Sequence, residues 1–158
     1  MFLASRLGKR LDKLVLCNTA PKIGSTESWN ARIETVCRGG MKGVVESVLE
    51  RWYTPHFRSD SPTIVEWTRQ MFLRTSPEGY CACCAAIRDM DLRPQIAAIR
   101  IPTLIVSGSH DPVTTVADAH LMAEQIQQAQ QLELPSAHLS NIEAADAFTL
   151  GVSRFLMD

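Results

Sequence analysis

The stretch Thr103-Leu-Ile-Val106 constrains this chain more than any other. Its apolar run is continuous and does not alternate with polar residues, so neither face is left for water. Such a run reads as a strand buried on both sides, the kind found in a parallel sheet covered by helices. Its surroundings, Ile101-Pro-Thr-Leu-Ile-Val-Ser-Gly-Ser-His-Asp-Pro-Val113, add a strand exit. Gly108 permits a tight turn, Asp111 follows with one carboxylate, and Pro112 stiffens its far side.

The rest of the chain reads as strands and helices in alternation. Met1 to Gly8 has the pattern of final helical turns stopped by glycine at C′. Leu14-Val-Leu-Cys17 is a second short apolar strand, and Gln131-Leu-Glu-Leu134 a third. Between Glu27 and about Arg88 the apolar spacing becomes helical, as at Trp29, Ile33 and Val36. Gly39-Gly40 separates two helices, and Ser61-Pro62 and Ser76-Pro77 each open another with a cap followed by proline. This predicts an insert of four helices, far longer than the usual connection of about 2–6 residues. Asp91 to Ile99 is a short amphipathic turn or helix around Pro94, Thr115 to Ile126 a helix, and Ser140-x-x-Glu143 has the form of a capping box before a last helix. The expected order is α/β with three parallel strands, flanking helices and an all-helical lid. The expected divisions are 1–26 for a core helix and strand, 27–90 for the lid, and 91–158 for the remaining core.

Composition narrows the function classes. The 158 residues carry a formal charge of −1 and are 46% hydrophobic, which suits a globular domain. Acids and bases are mixed, so no basic face for nucleic acid is expected. No run approaches the ~18 apolar residues of a membrane span. No basic-then-apolar leader precedes the first strand, which gives a cytoplasmic expectation. The five cysteines include the cluster Cys81, Cys83 and Cys84; their odd number does not look like a secreted disulfide framework. No second Cys/His pair stands at ligand spacing, so the cluster reads as small helix-packing residues rather than a metal site.

Asp111 and His138 are the candidate catalytic residues. Each follows a strand, and they lie 27 residues apart. In a parallel sheet both would emerge at one edge, where a carboxylate can accept the imidazole Nδ1–H and leave Nε2 as a general base. Taken alone, an Asp between glycine and proline is a turn residue and a single histidine is structural; their joint placement favours chemistry. His110 is adjacent to Asp111 and cannot easily face it. His120 and His56 read as surface residues. The nucleophile expected beside such a pair, a serine in Gly-x-Ser-x-Gly on a strand-to-helix elbow, is not in the sequence.

Leu11-Asp-Lys-Leu-Val-Leu-Cys-Asn-Thr-Ala-Pro-Lys-Ile-Gly24, Glu27-Ser-Trp-Asn-Ala-Arg-Ile33, Pro77-Glu-Gly-Tyr-Cys-Ala-Cys-Cys-Ala-Ala-Ile-Arg-Asp-Met-Asp91 and Ala137-His-Leu-Ser-Asn-Ile-Glu143 resemble the 3-oxoadipate enol-lactonase family of α/β-hydrolases. The resemblance spans nearly the whole chain. It implies cofactor-free cleavage of a small enol-lactone in the β-ketoadipate pathway of aromatic-acid catabolism, by a Ser–His–Asp mechanism. Asp111 carries over as the acid and His138 as the base. The family also has an N-terminal half with early strands, an oxyanion loop and the nucleophile. The resemblance therefore implies a partial α/β-hydrolase fold, a truncated chain that is inactive alone. A small acidic substrate calls for an apolar wall and a cationic contact, for which Trp29 and Arg32 are the candidates. The strand Leu14–Cys17 would then present an unpaired apolar edge, so self-association is expected. The alternatives are a non-catalytic fragment acting as an assembly module, and a generic carboxylesterase.

Overall fold

The computed structural model describes residues 1–7 and 10–158. Gly8, the expected helix stop, lies outside the described residues. The chain divides into two compact units, one of residues 1–22 and 91–158, the other of residues 23–90. Among the described residues no helix is long and apolar enough to cross a membrane.

The first unit is α/β. Three strands, β1 (Leu14–Cys17), β2 (Thr103–Gly108) and β3 (Ala129–Leu134), form one parallel sheet in the order β1-β2-β3. Central β2 is buried at all six positions, as its unbroken apolar run requires. Leu104 and Val106 pack with Leu134 and with Phe155 of a C-terminal helix. That helix is α10 (Ala145–Met157); α1 (Phe2–Leu7), α7 (Arg93–Ile96), α8 (Val116–Gln125) and α9 (Ser140–Glu143) complete the unit. α8 packs on β2 and β3 and opens with a reciprocal cap between Thr115 and Asp118.

β2 and β3 run two residues further than the apolar pattern indicates at the exit of β2 and the entry of β3. Ser107 and Gly108 still pair with Glu133 and Leu134, although neither is apolar. Backbone pairing, not side-chain hydrophobicity, carries the strand to its end. Gly108 is there for a sharper reason than a turn. A Cβ at this position would lie 2.3 Å from the Ala137 carbonyl oxygen and 2.4 Å from that of Ser136. The missing side chain lets the exit of β2 touch the loop after β3.

The second unit is all helical: α2 (Thr26–Gly39), α3 (Val45–Trp52), α4 (Pro55–Asp60), α5 (Pro62–Leu73) and α6 (Pro77–Asp89), with a single 3-10 turn at Met41–Gly43. The expected four helices are thus five. The additional break falls at Tyr53, which turns extended (φ −131°, ψ 144°) and is fully buried, its hydroxyl 2.8 Å from Thr68 Oγ1. Thr54 then caps α4 through the Phe57 N–H, with Pro55 in the first turn. α2 packs along α6, where Cys84 is buried and the Cys81 thiol faces the Ile33 carbonyl at 3.9 Å. Cys83 is exposed, so only two of the three clustered cysteines serve packing.

Gly108→Ala is expected to destabilise the chain by about 1–3 kcal/mol, because two backbone carbonyls rather than a flexible side chain must move. Urea unfolding followed by circular dichroism measures it.

Candidate active site

Parallel pairing brings the carboxyl ends of all three strands to one edge. Each strand supplies that edge with a polar residue just past its end. Asn18 follows β1 and still donates its backbone N–H to the Val106 carbonyl at 2.8 Å. The loop after β2 carries Asp111. The loop after β3 carries His138. Backbone bonds join the last two loops: Ser109 N–H to Leu134 O at 2.8 Å and His110 N–H to Ser136 O at 3.0 Å.

Within this frame Asp111 and His138 meet. The His138 Nδ1 lies 2.7 Å from Asp111 Oδ2, with the Asp111 side chain fully buried and the His138 side chain 24% exposed. The two carboxylate oxygens divide their work. Oδ1 accepts the backbone N–H groups of Val113 at 2.8 Å and Thr114 at 3.1 Å, which is the turn role that an Asp between glycine and proline suggests. Oδ2 accepts the Thr114 hydroxyl at 2.7 Å and the Asn18 amide at 3.3 Å, besides the imidazole. Burial, the largest influence, pushes the Asp111 carboxyl up; donors from His138, Thr114 and Val113 and the charge of His138 together outweigh it and hold the group at about 2. The acid is therefore an ion at neutral pH. With Nδ1–H directed at that ion, Nε2 is the nitrogen free to take and return a proton.

Two members of this cluster escaped the sequence reading. Thr114, 1% exposed, is Asp111's donor and also lies 3.4 Å from His138 Nδ1. Its signal was its spacing, three residues after an Asp that opens a turn. Asn18 had none, because its partners are 93 and 119 residues away. The capping box expected at Ser140 and Glu143 is not what those residues build. Ser140 lies inside α9, and its hydroxyl bonds the Ser136 hydroxyl at 2.7 Å and the Ala137 carbonyl at 3.3 Å. The Glu143 carboxylate accepts the Ala137 N–H at 2.9 Å. Both side chains hold the His138 loop instead of the helix start, since that loop's backbone groups are buried and need partners.

Among the described residues none of the other histidines hydrogen-bonds to this pair. His110 Nδ1 bonds the neighbouring Ser109 hydroxyl at 3.0 Å, His56 sits 3.4 Å from Asp60, and His120 is exposed on α8.

Trp29 and Arg32 lie in the helical unit, together on α2. The Trp29 indole donates to the Ile23 carbonyl at 2.7 Å, and the Arg32 guanidinium sits over its ring, 5.1 Å from the centroid. Arg32 also donates to the Tyr80 hydroxyl at 3.4 Å. Burial and then the charge of Arg32 push the Arg51 guanidinium down, and its Nη2 is buried without a hydrogen-bond partner among the described residues.

Comparison with known proteins adds to this geometry. No family model matches the chain. It is 39% identical, over 151 residues and 96% of its length, to 3-oxoadipate enol-lactonase 2 of Acinetobacter baylyi, and spans 57% of that protein. It superposes on the crystal structure of the enol-lactonase from Burkholderia xenovorans with a TM-score of 0.97 and 40% identity, covering 99% of this chain and 60% of that one. The chain has part of the α/β-hydrolase fold and is related to the 3-oxoadipate enol-lactonases. A hydrolase from Pseudomonas aeruginosa matches with a TM-score of 0.93 at 36% identity, again over 59% of its length. The chain thus spans a little over half the length of the enol-lactonases and hydrolases that it resembles.

Because Asp111 sits near 2 in the fold and at 3.8 without it, its contribution to stability is complete above about pH 4. It is lost as pH falls through about 2. Acid unfolding of the wild-type chain is expected to be steepest in that window, and Asp111→Asn to flatten it, in circular dichroism recorded between pH 5 and 2.

Proposed function

We propose that this chain supplies the acid and the base of a Ser–His–Asp hydrolase acting on a small enol-lactone that bears a carboxylate, of the 3-oxoadipate type. The observation that carries the reading is the 2.7 Å pair of a buried, ionised Asp111 and a half-buried His138 at the strand ends. Relatedness to enol-lactonases selects the substrate class. In this reading Nε2 of His138 takes the proton of a serine hydroxyl as that oxygen attacks the lactone carbonyl. The bond from the acyl carbon to the ring oxygen breaks, and that oxygen takes the proton from Nε2 as an enol still tethered to the acyl-enzyme. The same nitrogen then deprotonates the water that releases the acyl group, and the enol tautomerises to the 3-oxo acid.

Trp29 and Arg32 serve the substrate, the indole as an apolar wall and the guanidinium as the carboxylate's partner. Arg51 favours an anionic ligand further. The charge of Arg32 reaches the Arg51 guanidinium in the helical unit, and neither has a carboxylate among the ion pairs of the described residues. No cofactor enters this scheme, and a cytoplasmic site belongs to the same reading.

The serine and the oxyanion donors do not come from these 158 residues, which hold no Gly-x-Ser-x-Gly. The chain by itself is therefore expected not to turn over lactone, because nucleophile and oxyanion donors supply most of the acceleration. Exposed Phe2, Leu3 and Leu7, together with the unpaired edge of β1, favour self-association of the isolated chain with a second copy. A simple-ester substrate is the second reading, favoured by weaker similarity, 26% identity, to a pimeloyl-[acyl-carrier protein] methyl ester esterase from Nitrosospira multiformis.

A chimera tests the proposal: this chain replaces the matching segment of the Acinetobacter enol-lactonase. Enol-lactone hydrolysis is expected, falling by roughly a thousandfold or more in His138→Ala. A folded chimera that hydrolyses simple esters and leaves the lactone would favour the second reading, and one that hydrolyses neither would leave a binding module. In the active chimera Trp29→Ala and Arg32→Gln are expected to raise KM several-fold with kcat less affected. Sedimentation of the isolated chain is expected to show species larger than a monomer.

A further inference from the structure

The position where the backbone leaves its comfortable range is Asn18. Its φ is 42°, and among the described residues no other non-glycine has a positive φ. A side chain disfavours this left-handed geometry, and asparagine tolerates it better than most. Strain of this kind persists where surrounding contacts over-determine it. Here the contacts are visible. The Asn18 backbone N–H is the last rung between β1 and β2, at 2.8 Å from the Val106 carbonyl. Its side-chain amide then donates to two different loops, to Asp111 Oδ2 at 3.3 Å and to the Ala137 carbonyl at 3.2 Å. One acceptor is the acid itself. The other is the carbonyl of the residue immediately before the base.

We propose that Asn18 is a positioning residue that locks the acid loop and the histidine loop in register from the end of β1, and so fixes His138 in the Nδ1–H tautomer facing Asp111. The proposal rests on the acid–base reading above. An Asn amide has two N–H groups, and this one assigns one to each loop. Without it the Ala137 carbonyl keeps only the Ser140 hydroxyl at 3.3 Å as a side-chain donor. Oδ2 keeps the imidazole and Thr114. Thr114 Oγ1, 3.4 Å from Nδ1, then becomes an alternative neighbour for the ring. The fold has other ties at this edge, so the loss falls on the alignment of the ring rather than on the sheet. A neutral amide also suits the place better than a cation. It approaches Oδ2 without competing as a charge for the imidazolium formed during proton transfer.

The test uses the 158-residue chain with 15N-labelled histidine. In the wild type at mildly alkaline pH, His138 is expected to show the Nδ1–H tautomer with a slowly exchanging Hδ1 proton. Asn18→Gly removes the amide and accepts the same φ without strain. It is expected to keep the wild-type circular dichroism, to speed Hδ1 exchange by roughly fivefold or more, and to bring up the Nε2–H tautomer. Asn18→Asp also removes both amide donors while keeping a residue that tolerates this φ, and should likewise bring up the Nε2–H tautomer if the glycine variant does not fold. Unchanged tautomer and exchange in a folded variant overturn the proposal. Loss of the fold in both variants overturns it too, because the role would then belong to the whole sheet. A chimera inactive on lactone, with His138 still responding to Asn18, would sink the substrate reading and leave the clamp standing.

Discussion

A carboxylate withdrawn from water must be answered by donors at short range, and the architecture of the α/β unit follows from that requirement at Asp111. Its five donor groups come from three strand ends: two backbone N–H groups and a hydroxyl from its own loop, an imidazole from the loop after β3, and an amide from the end of β1. No single removal orphans either oxygen, because Oδ1 has two of these donors and Oδ2 three. The same donors hold the acid charged although burial opposes it. The base is aligned because it is one of the groups that the acid needs.

The sheet makes this convergence cheap. Parallel pairing places Cys17 beside Val106, and Gly108 beside Leu134, so the loops leave the sheet at one edge without any long excursion. Gly108 supplies the last ångström of approach, since a methyl group there would strike two carbonyl oxygens. Ser140 and Glu143 satisfy the backbone of the His138 loop at Ala137, and Ser136 donates its hydroxyl to that of Ser140. The loop's buried polar groups find their partners inside the fold, as those of a core do.

The helical unit shows a different economy. Of the caps that set its helices, the sequence reading marked Ser76 correctly but missed Ser25 with Ser28 and Thr54, and the expected cap at Ser61 opens α5 without a side-chain bond. Its charged residues are another matter. Arg32 leans on Trp29 and on the Tyr80 hydroxyl, 48 residues away, and Arg51 is depressed by burial and by that same positive charge. Spacing along α2 brought Trp29 and Arg32 to one helix face, three residues apart. The meeting with Tyr80 and Arg51 depends on how α3 and α6 pack against their neighbours, which no local pattern encodes.

The sequence by itself determined the elements whose cause is local. Continuous apolar runs located two strands and the alternating Gln131-Leu-Glu-Leu134 the third; caps and prolines located most of the helices; and the order of strand, acid, strand and histidine marked Asp111 and His138, because a parallel sheet collects its loops at one edge whatever the details. It also marked glycine at 108, though for a turn. Only the tertiary structure decided the rest. It lengthened β2 and β3 through backbone pairing that side chains do not announce. It turned the expected cap at Ser140 into support for the histidine loop, and broke the insert once more so that Tyr53 could be buried. It also brought Asn18 across 93 residues to the acid. The physical reason is the same each time: periodicity and capping are contests within one segment, whereas a buried polar atom chooses its partner from whatever the packed fold places within about 3 Å.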